Sequence, residues 1–278
     1  MKKSLYVFVF SLIASLVVLS PVFAQDTVVV PNNRADVGAN GSFRPPFNCQ
    51  GLPPTGIRWQ QIYAGSEIGQ AGMIDKVSFR LNGVFEGTVG DNGFNALYPN
   101  VVVQLSTTDK APVDAGGDPM SNTFNDNIGA DVKTVYSGNL TLSAQNCFRE
   151  IPTISVPCPF DVMIPLQEMF EYDPANGNLL LDLRIPQCPA LGEFVPDFDF
   201  ATSGIDNNEE KISFAFAANV GATDGTGVSG SGLVTQFRFF IPININVPTL
   251  SEWGLISMAA LLGIVGFMVI RRRKATTL

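Results

Sequence analysis

Phe198-Asp199-Phe200 and Phe214-Ala215-Phe216 decide the fold, because in each the aromatic residues fall on one face and a small or polar residue on the other. A period of two is that of a strand buried on one side. Working outward, Phe194 to Ala201 and Lys211 to Ala217 are expected as whole strands, followed by Leu233 to Ile241. Upstream, similar runs bounded by Gly, Pro, Asn and Asp mark Ile57 to Tyr63, Met73 to Leu81, Val101 to Ser106, Val132 to Leu142, Phe160 to Leu166 and Asn178 to Ile185. Ile74, Val77 and Phe79 can share a face only if their strand carries a local irregularity. Between the chain ends no window sustains a helical period, and no repeat or heptad occurs. Nine strands with long polar loops predict an all-β domain, a two-sheet β-sandwich of jelly-roll-like type.

Composition agrees and excludes several chemistries. The 278 residues include 26 Gly and 19 Pro, and only 15% are charged, which suits a turn-rich β protein. The chain has no His, so Ser-His-Asp and Cys-His nucleophiles, HExxH zinc helices and His-ligated haem are excluded. Its four cysteines form no CxxC pair, which argues against iron-sulfur and structural zinc sites.

Both ends read as targeting signals. Lys2 and Lys3 precede an apolar run from Leu5 to Leu19, and Val22-Phe23-Ala24 places small residues for cleavage before Gln25. That is the layout of a secretory signal peptide over residues 1–24; an uncleaved anchor is the alternative, against which the short run and adjacent cleavage site argue. At the other end Leu255 to Ile270 is apolar throughout except Ser257 and is followed by Arg271, Arg272, Arg273 and Lys274. With Trp253 and Gly254 it predicts a transmembrane helix over 253–270, Trp253 at one interface and the basic tail, 271–278, held in the cytoplasm. A buried amphipathic helix would need a polar face, which this stretch lacks.

Val247-Pro248-Thr249-Leu250-Ser251-Glu252-Trp253-Gly254 stands directly before that helix. Motif, apolar helix and basic cluster together resemble the IPTL-CTERM sorting signal, a relative of the PEP-CTERM signals of Gram-negative bacteria. Pro248, Thr249, Leu250, Ser251, Trp253 and Gly254 match in place and order, with Val247 for the usual Ile. The resemblance implies export through the inner membrane, transient residence of the helix there, and processing by an exosortase-type enzyme that passes the ectodomain to the cell surface. The catalytic residues would belong to that enzyme, and none is assigned to this chain.

Residues 25–246 form the expected β-sandwich ectodomain, and 247–278 the sorting segment. Without the six terminal cations and Glu252, the ectodomain holds 11 basic and 24 acidic residues, a formal charge of −13. Such a surface repels nucleic acid and favours solubility or divalent cations. Three stretches of it also resemble β-sandwich ectodomains of other PEP-CTERM-class proteins: Arg58-Trp59-Gln60-Gln61-Ile62-Tyr63, Ile128-Gly129-Ala130-Asp131 with Val135-Tyr136-Ser137-Gly138, and Tyr172-Asp173-Pro174 through Asp182. The turn-and-strand chemistry of these stretches supports the fold and no activity.

Cys49, Cys147, Cys158 and Cys188 all lie in the exported part, where an even count favours two disulfides with three possible pairings. Cys147 and Cys158 flank a short Pro-containing excursion, which favours their pairing and leaves Cys49 with Cys188. Calcium could be held in the acidic loops Asp91-Asn92-Gly93, Asp114 to Asp118, Asn125-Asp126-Asn127, Asp173 to Asn178 or Asp206 to Glu210, although none has EF-hand spacing and all suit ordinary turns. Trp59, Tyr63, Tyr98 and Tyr136 are the aromatic candidates for carbohydrate contact, Trp59 and Tyr63 fitting a core better. A hydrolase would need two facing carboxylates, which sequence cannot nominate. The expected protein is therefore not an enzyme. It is a surface or matrix protein with a structural or interaction role, extracellular polysaccharide being a partner class and carbohydrate or calcium binding the alternative role.

Overall fold

The structure is a computed structural model that describes residues 23–48, 55–82, 94–113, 115–144, 147, 157–189, 197–207, 210–242 and 252–274. It contains β1 (Phe23–Val30), β2 (Gly41–Phe43), β3 (Ile57–Tyr63), β4 (Gly72–Phe79), β5 (Phe94–Thr108), β6 (Lys133–Ala144) and β7 (Val162–Tyr172). These are followed by β8 (Asn178–Ile185), β9 (Phe198–Ala201), β10 (Ile212–Ala217), β11 (Thr226–Ser229), β12 (Gly232–Leu233) and β13 (Thr235–Pro242). Two α-helices, α1 (Gly65–Ile68) and α2 (Glu252–Lys274), and three short 3-10 turns complete the described elements. The chain divides into two compact units, one of them Phe23–Ile241, with α2 in the other.

The first unit is all-β, as expected, but with three sheets instead of two. A six-stranded sheet runs β11-β10-β3-β8-β5-β6, a four-stranded sheet β1-β13-β4-β7, and a short third sheet β12-β9-β2. The sheets are antiparallel; β3 lies against β8 with Trp59 opposite Leu183, and against β10 with Trp59 opposite Phe216. The two larger sheets sandwich one core, to which β3 and β8 send Ile57, Trp59, Leu181 and Leu183, and β4 and β13 send Val77, Phe79, Phe237 and Phe239. Alternation explains this directly, since every second residue of each strand faces the other sheet. The third sheet adds Phe43 and Phe200, stacked at 4.7 Å, beside the Trp59–Phe214 stack at 4.6 Å. Among the described residues, thirteen strands in three sheets replace the expected jelly-roll-like pair, because β9 pairs with β2 and β12 instead of joining a larger sheet.

β3 is buried on both faces. Its outer face, Arg58, Gln60 and Ile62, is covered from the excursion between β5 and β6, where Phe124 and Met120 pack with Ile62, Leu180 and Ala215 in a second apolar cluster. Arg58 Nη2 donates to Asp182 Oδ2 at 2.7 Å, Gln60 Nε2 donates to the same oxygen at 2.9 Å, and the Arg58 guanidinium lies 4.5 Å from the Phe124 ring centroid. A buried charge must be paired and hydrogen-bonded, and this network meets that condition. The irregularity expected in β4 is present: the register shifts between Ile74 and Lys76 against β7, and Ile74, Val77 and Phe79 are all buried.

Candidate functional site

α2 covers the segment where the sequence places an apolar helix and its basic end. At about 1.5 Å per residue its 23 residues extend roughly 34 Å. The apolar side chains described on it are all exposed, among them Ile256 at 57%, Leu261 at 63%, Leu262 at 68% and Phe267 at 67%. Around the helix axis, at about 100° per residue, positions 261, 262, 264, 265, 267 and 268 leave one gap, and Ala259, Gly263 and Gly266 fall in it, so no polar face exists to turn to water. A Cβ at Gly263 or Gly266 would meet nothing within 4 Å. Arg271 is exposed, and Arg272, Arg273 and Lys274 continue the helix.

The sorting-motif residues divide at the helix start. Val247, Pro248, Thr249, Leu250 and Ser251 lie outside the described residues, as does most of the segment expected as a signal peptide. Trp253 and Gly254 open the first turn of α2, with side-chain surroundings outside the described set. The helix expected over 253–270 is present, but among the described residues no helix is long and apolar enough to cross a membrane. The expected cleavage point before Gln25 falls inside β1, whose strand begins two residues earlier at Phe23.

The other nominated residues are structural. Cys147 and Cys158 form the expected disulfide, with Cα atoms 5.0 Å apart. Cys188 is also disulfide-bonded, and its expected partner Cys49 lies outside the described residues. The aromatic candidates for sugar contact are overturned: Trp59, Tyr63 and Tyr98 are fully buried and Tyr136 is 8% exposed. The phenol of Tyr98 donates to the Phe47 carbonyl and that of Tyr136 to the Asn139 carbonyl, which satisfies their polar ends inside the fold.

The acidic loops use their side chains to fix turns. Asp173 Oδ1 accepts from Ala175 N and Asn178 Oδ1 from Gly65 N, while Asn127 Nδ2 donates to Gln60 Oε1. Asp118 pairs with Lys110, whose ammonium is held above its usual range by that hydrogen bond. Asp91 to Gly93 and Asp114 lie outside the described residues, and among those described no three Asp, Glu or Cys converge as a metal-holding group.

Sequence reasoning missed the buried ion pairs. Arg80 Nε donates to Asp199 Oδ2 at 2.6 Å, and Arg80 Nη2 donates to the Val37 carbonyl at 2.7 Å. Arg34 pairs with the fully buried Asp206 at 2.8 Å, and Asp206 also accepts from the backbone amide of Thr202. Together they tie the segment after β1 to the turn after β9. Burial holds the Asp199 carboxyl above the usual carboxylate range and the Arg80 guanidinium below its own, each opposed by the other's charge. These carboxylates are sealed and occupied, so they brace the fold and present no acceptor to a substrate.

One family model matches the chain: the IPTL-CTERM motif, over residues 247–274. It covers the expected sorting motif, all of α2 and the basic cluster. No curated protein and no solved structure matches.

Proposed function

We propose, from the IPTL-CTERM match, that this chain is exported and sorted to the cell surface by residues 247–274, with the β-sandwich as cargo that plays a structural or interaction role and catalyses no reaction. The observation that carries the reading is the family-model match at 247–274, which coincides with a helix whose described apolar side chains are all exposed. In the sequence, Trp253 to Ile270 is apolar but for Ser257 and, when helical, extends about 27 Å, close to the thickness of a thin bilayer core. In this reading α2 sits in the inner membrane until processing. Trp253 marks its outer interface, and Arg271, Arg272, Arg273 and Lys274 hold its cytoplasmic end by the positive-inside rule.

The partner is an exosortase-type enzyme in the same membrane, which cuts near Thr249. Pro248 suits that encounter, because proline lacks an amide donor and biases Val247 to an extended backbone that a protease can engage. Replacing Arg271 through Lys274 with Ser in the native host tests this. The expected result is normal removal of residues 1–24, together with full-length protein accumulating in the inner membrane instead of at the surface. Surface delivery equal to that of the unaltered chain would show that the cluster plays no part in sorting.

A further inference from the structure

We infer that the groove beside β1 and α1 binds a neutral saccharide. The groove has a volume of about 520 Å³, within the roughly 300–1,000 Å³ of small-molecule sites. Its apolar part comes from Val28 and Val29 of β1, Ile68 of α1 and the ring of Phe160. The Arg80 guanidinium, 4.9 Å from the Phe160 centroid, holds that ring in place.

Its polar part is rich in amides and carboxylates. Asn32 and Glu67 form one wall, clamped together where Asn32 N donates to Glu67 Oε2 at 2.7 Å and Asn32 Nδ2 to the Glu67 carbonyl at 2.8 Å. Gly69 ends α1 with φ of 65°, a left-handed conformation that favours glycine, and so turns the chain to place Gln70 in the lining. Gln236 enters from β13, and Asp36 from the segment after β1.

Two features select the ligand. The Nε2 of Gln70 is buried without a hydrogen-bond partner, an uncommon state for an amide donor. Its terminal torsion is broad, so the amide can turn to meet a hydroxyl in the groove. Among the described residues no Lys or Arg lines the groove, whereas Asp36 and Glu67 do, so anionic ligands are disfavoured. A sugar ring fits both features: its hydroxyls donate to carboxylates and pair with amides in both senses, and its C–H faces lie on apolar side chains and an aromatic ring. None of the four aromatics nominated from sequence lines the groove, since all of them are spent in the core. It does not depend on C-terminal processing.

The test uses the full chain purified in a zwitterionic detergent without a sugar head group. Calorimetric titration is run with maltohexaose, cellohexaose and laminarihexaose, and with hexagalacturonate as the anionic arm. Saturable binding of at least one neutral hexasaccharide is expected, with Kd on the order of 10⁻⁴ M. Gln70→Ala and Gln236→Ala should each weaken it about tenfold, while Gln104→Ala on the six-stranded sheet should not. Gln236 is only part-buried, so its variant keeps the test decisive even if Gln70→Ala folds poorly. No heat from any neutral hexasaccharide at millimolar concentration, unchanged affinity in both groove variants, or stronger binding of hexagalacturonate would each overturn the inference.

Discussion

The leucines of β8 and those of α2 stand at opposite ends of the exposure scale. Leu179, Leu180, Leu181 and Leu183 are at most 1% exposed, whereas Leu261 and Leu262 are 63% and 68% exposed. β8 lies between two packed layers, so both its faces are covered, and even Asp182 is accommodated because Arg58 and Gln60 reach it from the neighbouring strand. α2 is apolar in every direction and gains nothing by lying on a protein surface with one stripe alone. Residues of one type thus serve two ends. In the sandwich they supply stability, and in α2 they belong to the segment that matches the IPTL-CTERM motif.

The comparison breaks most readily at Trp59. It is fully buried and stacked on Phe214, so Trp59→Ala should cost about 3–5 kcal/mol, read as a lower urea midpoint at unchanged slope. A loss under about 1 kcal/mol would mean that the aromatic end of the sandwich is loosely packed. Asp182→Ala comes next, since it leaves the Arg58 guanidinium buried without its carboxylate, at about 3–5 kcal/mol. The double variant Arg58→Met with Asp182→Leu should recover most of that loss, because the cost lies in the stranded charge and not in the missing pair.

Alkali gives a smaller, graded effect. Burial pushes the Tyr63 phenol far above its ordinary 10.0, against the lesser pull of its hydrogen bond to Thr235. With the folded pKa raised, the folded state keeps a proton that the unfolded chain loses. Its stability share is therefore full below pH 10 and falls above it by about 1.4 kcal/mol per pH unit. Tyr63→Phe should flatten that slope in pH-dependent melts, and an unchanged slope would place the sensitivity elsewhere. The smallest effect is expected at Leu262: Leu262→Ser should move the sandwich's own unfolding by less than about 0.5 kcal/mol, in contrast to any leucine of β8.

Much of the sandwich was legible from alternation. β3 and β8 begin and end where the pattern predicts, and the spacing of Ile74, Val77 and Phe79 foretold the register shift in β4. β2, β11 and β12 have three, four and two residues, too few to show a period. β5 runs on through Pro99 and Asn100, whose φ of 56° marks an irregularity between Tyr98 and Val101 that conceals the longer strand. The third sheet was not legible, because β2 pairs with β9 across more than 150 residues, which leaves no local trace. At the candidate site, the Cys147–Cys158 pairing was readable from a short flanked loop. The ion pairs were not singled out, although Asp182 within Leu179 to Leu183 was a signal: a charge in an apolar strand needs a partner.

The most direct measurement is the C-terminal mass and membrane fractionation of the native protein beside Pro248→Ala in the same host. The account predicts that the native surface material ends near Thr249, while the variant stays full length in the inner membrane with its sandwich folded. Identical C-terminal masses and identical fractionation of the two proteins would contradict it, and would make residues 247–274 a membrane anchor and nothing more.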